Sequence, residues 1–234
     1  MKLRKIAATF AALGLALAFG SASAAPLTVE LQFKGTPQGT VQGDVFVGGD
    51  RTNTRAGEFS FEVISADPGV PVDLTQRLLA YCAEANIRLT TGTSVIYTVH
   101  DPMDLFAAGT VDNVSRLYTG FLGASRTSAI NSAAFQLALW EILKESDGTT
   151  FDLSSDFFRA AYGVNSSDDW NAAVDQATDW LARLGNFSAN RQFLLLKSDT
   201  SQDLVFIPVP EPGMLLLIGS GLLFGVAIRR RIRS

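Results

Sequence analysis

The spacing of apolar residues changes period twice along this chain, and that change limits the folds open to it. Leu27-Thr28-Val29-Glu30-Leu31-Gln32-Phe33-Lys34 alternates apolar and polar without a break, which predicts a half-buried strand. Thr40 to Val47 reads as a second strand and Gly57 to Ile64 as a third, with Phe59, Phe61 and Val63 on one side. The Gly-rich links Gly35-Thr36-Pro37-Gln38-Gly39 and Gly48-Gly49-Asp50 predict turns, so the three strands are expected to form an antiparallel meander. Leu74 to Asn86 suits either a short helix or a strand. Ile87 to Val99 reads as a strand pair turning at Gly92.

From Thr110 the period becomes helical. Val111, Val114, Leu117, Tyr118, Phe121 and Leu122 share a face, with Thr110 as the expected N-cap and Gly123 as the stop. Thr127 or Ser128 is expected to cap a second helix running to about Glu145. It is apolar nearly all round, which predicts a central, buried element. Ser167-Asp168-Asp169 opens a third, stopped by Gly185. Its two acids sit at the positive end of the helix dipole, a reading preferred here to a carboxylate pair for acid–base work. Gln192–Lys197 and Asp203–Ile207 then return to short apolar strands that would close the sheet. Strands, helices, strands imply an α+β fold: an antiparallel β-sheet or barrel with an inserted helical subdomain.

The two ends read as targeting segments. Residues 1–24 carry Lys2, Arg4 and Lys5, then the apolar run Ile6–Phe19, then Ala22-Ser23-Ala24, the three parts of a secretory signal removed by signal peptidase. At the other end, in the segment 208–234, Val209-Pro210-Glu211-Pro212 precedes the apolar run 213–228 and a basic tail, 229–234, containing Arg229, Arg230 and Arg231. This order resembles the PEP-CTERM sorting signal of Gram-negative bacteria, which implies processing by a membrane exosortase. The apolar run would reach about 24 Å as a single transmembrane helix, short of a hydrocarbon core of about 30 Å, with snorkelling arginines making up the difference and fixing the tail in the cytoplasm. The expected precursor is anchored in the inner membrane and the product lies at the cell surface or outside the cell. The middle, 25–212, holds 12 bases against 23 acids, a net charge of −11 that would repel nucleic acid phosphates.

Two residues in the folded part, 25–207, stand out. Cys82 is the single cysteine of a chain bound for an oxidising compartment, so it has no internal disulfide partner. Gln136 places a polar amide in the middle of the most apolar helix, which is costly unless something satisfies it. Separately, each has an ordinary reading: a small buried hydrophobe, and a core-edge amide. Together they have a chemical one, in which the Cys82 thiolate attacks the Gln136 amide, expels ammonia and leaves an internal thioester. Tyr81-Cys82 and Gln136-Leu137-Ala138-Leu139-Trp140 resemble the aromatic-Cys and Gln-x-Ala-aliphatic-Trp motifs of bacterial surface thioester domains. That resemblance implies covalent capture of an amine-bearing target, with Tyr81 and Trp140 shielding the bond from water. The chain after Cys82, Ala83-Glu84-Ala85, is not distinctive, and thioester adhesins of this kind carry a different anchor.

Such a protein acts once per molecule, without turnover, so it is not expected to be an enzyme. It needs no cofactor, and one His with one Cys supplies no zinc ligand set. Two other readings compete. One is a non-covalent structural protein of a biofilm or extracellular matrix exported by the exosortase route. The other is a hydrolase pairing Cys82 with His100, the one histidine, which ends an expected strand.

Overall fold

The computed structural model describes residues 25–145, 150–155 and 157–208. The signal segment 1–24, the sorting motif 209–212, the expected transmembrane run and Arg229, Arg230 and Arg231 lie outside the described residues. Among the described residues no helix is long and apolar enough to cross a membrane.

Six strands close into an antiparallel barrel. Around its wall run β1 (Thr28–Gly35), β4 (Phe59–Ala66), β5 (Arg77–Cys82), β9 (Leu204–Phe206), β8 (Leu194–Lys197) and β6 (Ser94–His100). The register explains which residues fill it. Leu31 pairs with Val63 and Val95, Val29 with Tyr97, Phe33 and Leu78 with Phe61, and Ala80 with Phe206, so one apolar set faces the interior from every wall. Closure leaves the barrel without exposed edges. The expected alternation in β1 and β4 and the closing role of β8 and β9 are observed.

The expected three-strand meander is not. β1 pairs with β4 and β6, whereas β2 (Val41–Val47) leaves the barrel and pairs with β3 (Asp50–Ala56) and β7 (Phe158–Ala160) in a separate sheet. The β2–β3 hairpin turns on Gly48 and Gly49, both at positive φ. β3 and β7 occupy the two edges of β2, so neither is left for β1. β3 has the sequence DRTNTRA and carries no apolar alternation, so nothing in its composition announces a strand. Likewise only Ser94–His100 of the expected pair in 87–99 is a strand.

The helices are inserted between β6 and β8. α1 (Ala108–Ser125) begins two residues before Thr110, has no side-chain cap, and runs through Gly123 to Ser125. α2 (Ala129–Lys144) is capped by Ser128, whose side chain accepts from the Asn131 N–H, and every residue from Ser132 to Ile142 is buried. It packs against α1 and α3 on its flanks, touches β5 of the barrel and meets all three strands of the small sheet. That position between two sheets is why the helix is apolar nearly all round. α3 (Asp168–Ala182) is capped by Ser167, with Asp168 and Asp169 in its first turn. Gly43 of β2 leaves the space into which the fully buried Trp170 ring fits, and Trp170 Nε1 donates to the Ala161 carbonyl at 2.8 Å.

Candidate functional site

Cys82 is the last residue of β5. β4 accompanies β5 only as far as the Phe59–Ala80 pair, whereas β9 continues to Leu204 opposite Cys82. The next residue, Ala83, donates its N–H to the Asp203 carbonyl, on the β9 side. The peptide N–H and C=O of Cys82 therefore point the other way, into the place a further residue of β4 would occupy. A buried backbone pair left open there would be costly.

Gln136 fills that place. Its Oε1 accepts from the Cys82 N–H at 2.8 Å, and its Nε2 donates to the Cys82 carbonyl at 2.8 Å. The Gln136 amide thus satisfies the strand end as another strand would, and the polar residue that looked misplaced in an apolar helix has both halves of its amide bonded. Gln136 is 0% exposed and Cys82 1%.

Side chains alternate across β5. Cys82, Ala80 and Leu78 face the barrel interior, while Tyr81 faces the helices. The Tyr81 ring lies 4.5 Å from that of Phe135 and 6.5 Å from that of Tyr118, and its hydroxyl donates to Ser125 Oγ at 2.9 Å. Burial, with the charge of Glu84 adding, pushes the Cys82 thiol well above its ordinary value, so it is held protonated. The interior-facing Tyr97 is pushed up to about 12, chiefly by burial, and its hydroxyl donates to Ser201 Oγ at 3.1 Å.

Cys82, Gln136 and Tyr81 are therefore brought together. Trp140, one turn beyond Gln136, packs its ring on Phe158 of the small sheet at 6.1 Å, and its indole N–H has no hydrogen-bond partner among the described residues. The aromatic cover beside Tyr81 comes instead from Phe135 and Tyr118. Phe135 adjoins Gln136 in sequence, but only the helix docking gives it this role. His100 is not part of the site. It ends β6 opposite Leu195, three strands around the wall from Cys82, and its position alternates with Val99 so that it points outward. A Cys82–His100 nucleophile pair is not assembled. Among the described residues no group of three or more His, Cys, Asp or Glu side chains could hold a metal ion.

This barrel, with its inserted helices and small second sheet, is similar to a solved structure, the thioester domain of the Staphylococcus aureus TIE protein. The match has a TM-score of 0.50 at 11% identity and covers 79% of this chain and 94% of that one. The chain has a thioester-domain fold. At that identity the likeness speaks of architecture, and the residues of the site rest on the geometry above. No curated protein matches the sequence. A family profile, the PEP-CTERM protein-sorting motif, matches residues 208–231. The thioester-type domain is thus joined to a signal for export by the exosortase route, with a membrane-anchored precursor that exosortase processes.

Proposed function

We propose that this exported domain forms a Cys82–Gln136 thioester and uses it to attach itself covalently to an amine-bearing surface or matrix target. The observation that carries the reading is the doubly hydrogen-bonded contact between the Gln136 amide and the Cys82 peptide inside a buried site. In bond formation Cys82 Sγ adds to Gln136 Cδ. The Cys82 N–H on Oε1 favours the negative charge that develops on that oxygen. The thiol proton passes to Nε2, the Cδ–Nε2 bond breaks, and ammonia leaves. In capture a target amine, most simply that of a lysine, attacks Cδ. The Cδ–Sγ bond breaks, the displaced amine proton ends on Sγ, and an amide joins Gln136 to the target.

Under this reading residues 213–228 span the inner membrane of a Gram-negative cell before processing, and the released domain acts at the cell surface. A non-covalent structural role in a biofilm or matrix is the second reading. The same two hydrogen bonds favour it, since they satisfy the Gln136 amide without any chemistry. The two are separated by the intact mass of the full chain, purified in detergent, before and after methylamine. A mass low by one ammonia, then raised by one methylamine with the label mapped to Gln136, supports the thioester. A calculated mass with a titratable Cys82 thiol in fresh protein refutes it and leaves the structural role.

A further inference from the structure

Both halves of the Cys82–Gln136 contact are tethered to one polar cluster, buried at Glu58, Ser125 and Ser132 and reaching the surface at Arg126, that the chemistry above does not use. Its centre is Glu58, at the turn into β4 and 1% exposed. The Arg126 side chain, at the C-terminal end of α1, donates to the carboxylate through Nε at 3.0 and 3.2 Å and through its terminal nitrogen at 2.7 Å. The Glu58 N–H donates to Ser132 Oγ at 2.7 Å, and Ser132 lies one turn before Gln136 on α2. Ser125, next to Arg126, accepts from the Tyr81 hydroxyl and donates its own hydroxyl hydrogen bond to the Leu122 carbonyl at 2.8 Å. Tyr81 is the residue before Cys82. The cluster therefore grips the strand one residue from the sulfur and the helix one turn from the amide.

We infer that Glu58, held by Arg126, is a positioning residue for the thioester: through Ser132 it fixes how far α2 sits along the end of β5, and so sets Gln136 Cδ against the Cys82 side chain. This rests on the thioester reading above. The physical case is one of cost and precision. A carboxylate taken out of water is expensive, and its partner Arg126 is 39% exposed, so the attraction that offsets the cost is weakened by solvent. Such a group beside a reactive contact has the mark of a functional device. Bond formation in turn depends steeply on position, a displacement of about 1 Å costing on the order of 100-fold in rate. Ser132 and Gln136 are four residues apart on one face of α2, so a helix anchored at the first is anchored at the second. Gly57, at φ +154°, brings the chain in so closely that a Cβ there would lie 2.9 Å from the Gly39 carbonyl, so the residue before Glu58 packs directly on backbone.

The test is the rate at which the full chain, unfolded in denaturant and returned to detergent buffer, loses ammonia by intact mass, read beside Tm. Glu58→Gln, which keeps the N–H on Ser132 but loosens the Arg126 clamp that holds residue 58, and Ser132→Ala, which removes the acceptor itself, are expected to lose ammonia at least about 10-fold more slowly than the native chain. Arg126→Lys, which keeps the charge but not the planar fork, should recover part of that loss relative to Arg126→Ala. Val63→Ala removes barrel packing far from the cluster and controls for stability alone. It is expected to lower Tm and leave the ammonia-loss rate unchanged. Native rates in both Glu58→Gln and Ser132→Ala overturn the inference, as does a rate that simply follows Tm through all five variants. Should Glu58→Gln fail to fold, Ser132→Ala and the Arg126 pair decide alone. A native chain that never loses ammonia refutes the thioester reading itself, and this inference with it.

Discussion

Opening the thioester with methylamine is predicted to lower the stability of the domain by an amount set by the loop the bond closes. Cys82 and Gln136 are 54 residues apart. The loop between them contains β6, α1 and half of α2. A cross-link across a loop of that length removes chain entropy from the unfolded state worth about 4 kcal/mol, by the relation used for disulfides. For a domain of this size each kcal/mol moves Tm by roughly 2–4 °C, so opening should lower Tm by about 8–16 °C. The added methyl group has to be accommodated in a close-packed site, which costs further stability and moves the expected fall toward the upper figure. The assay is calorimetry of the full chain in detergent before and after methylamine, with the mass of each sample measured. Cys82→Ala, which cannot form the bond, should melt near the opened form and ignore methylamine. A sample that gains methylamine by mass yet melts where it did before would refute the loop argument. A native chain and a Cys82→Ala chain melting together, both indifferent to methylamine, would refute the bond.

Other outcomes follow from particular contacts. Gln136→Ala leaves the Cys82 N–H and C=O buried and unpaired, at about 1–3 kcal/mol each, so denaturant titration should find it among the most destabilising single changes in α2. Gly43→Ala drives a Cβ into the Trp170 ring and should unfold the small sheet from α3, whereas Gly123→Ala meets nothing within 4 Å and should stabilise α1 by about 0.5–1 kcal/mol; melting curves of the pair check both signs. Desolvation raises the Glu58 carboxyl above its usual 4.5 despite the opposing pull of Arg126, so its contribution to stability is fully present below pH 4.5 and is lost as pH rises through the folded value. The Tm advantage of the native chain over Glu58→Gln should therefore shrink from pH 4 to pH 7, and an advantage that grows with pH would mean that the Arg126 pair outweighs desolvation. His100→Ala should take up methylamine at the native rate, since His100 faces out of the barrel.

Local chemistry was enough to read some of this from the chain. β1 and β4 alternate so regularly that any fold burying one face gives their inward residues, and α2 announced its burial by having no polar side apart from its ends. Gln136 was legible for the same reason: an amide in that setting needs a partner, whatever the fold. β3 and β7 were not legible. The first is polar throughout and the second only three residues long, so both exist because β2 offers them a pairing edge. The departure of β2 from β1 was hidden too, because alternation specifies a buried face but not the neighbour that covers it.

By itself, then, the sequence determined the α+β order, the burial of α2, the singularity of Cys82, and the sorting motif, all properties of nearby residues or of composition. Only the tertiary structure decided that β4 stops short of Cys82, that Gln136 takes its place in the ladder, that His100 points away, and that Glu58, Arg126 and Ser132 converge beside the contact. Each of these depends on register between elements far apart in the chain. Register is fixed by the packing of whole faces and by closure of the barrel, which no local stretch of residues encodes.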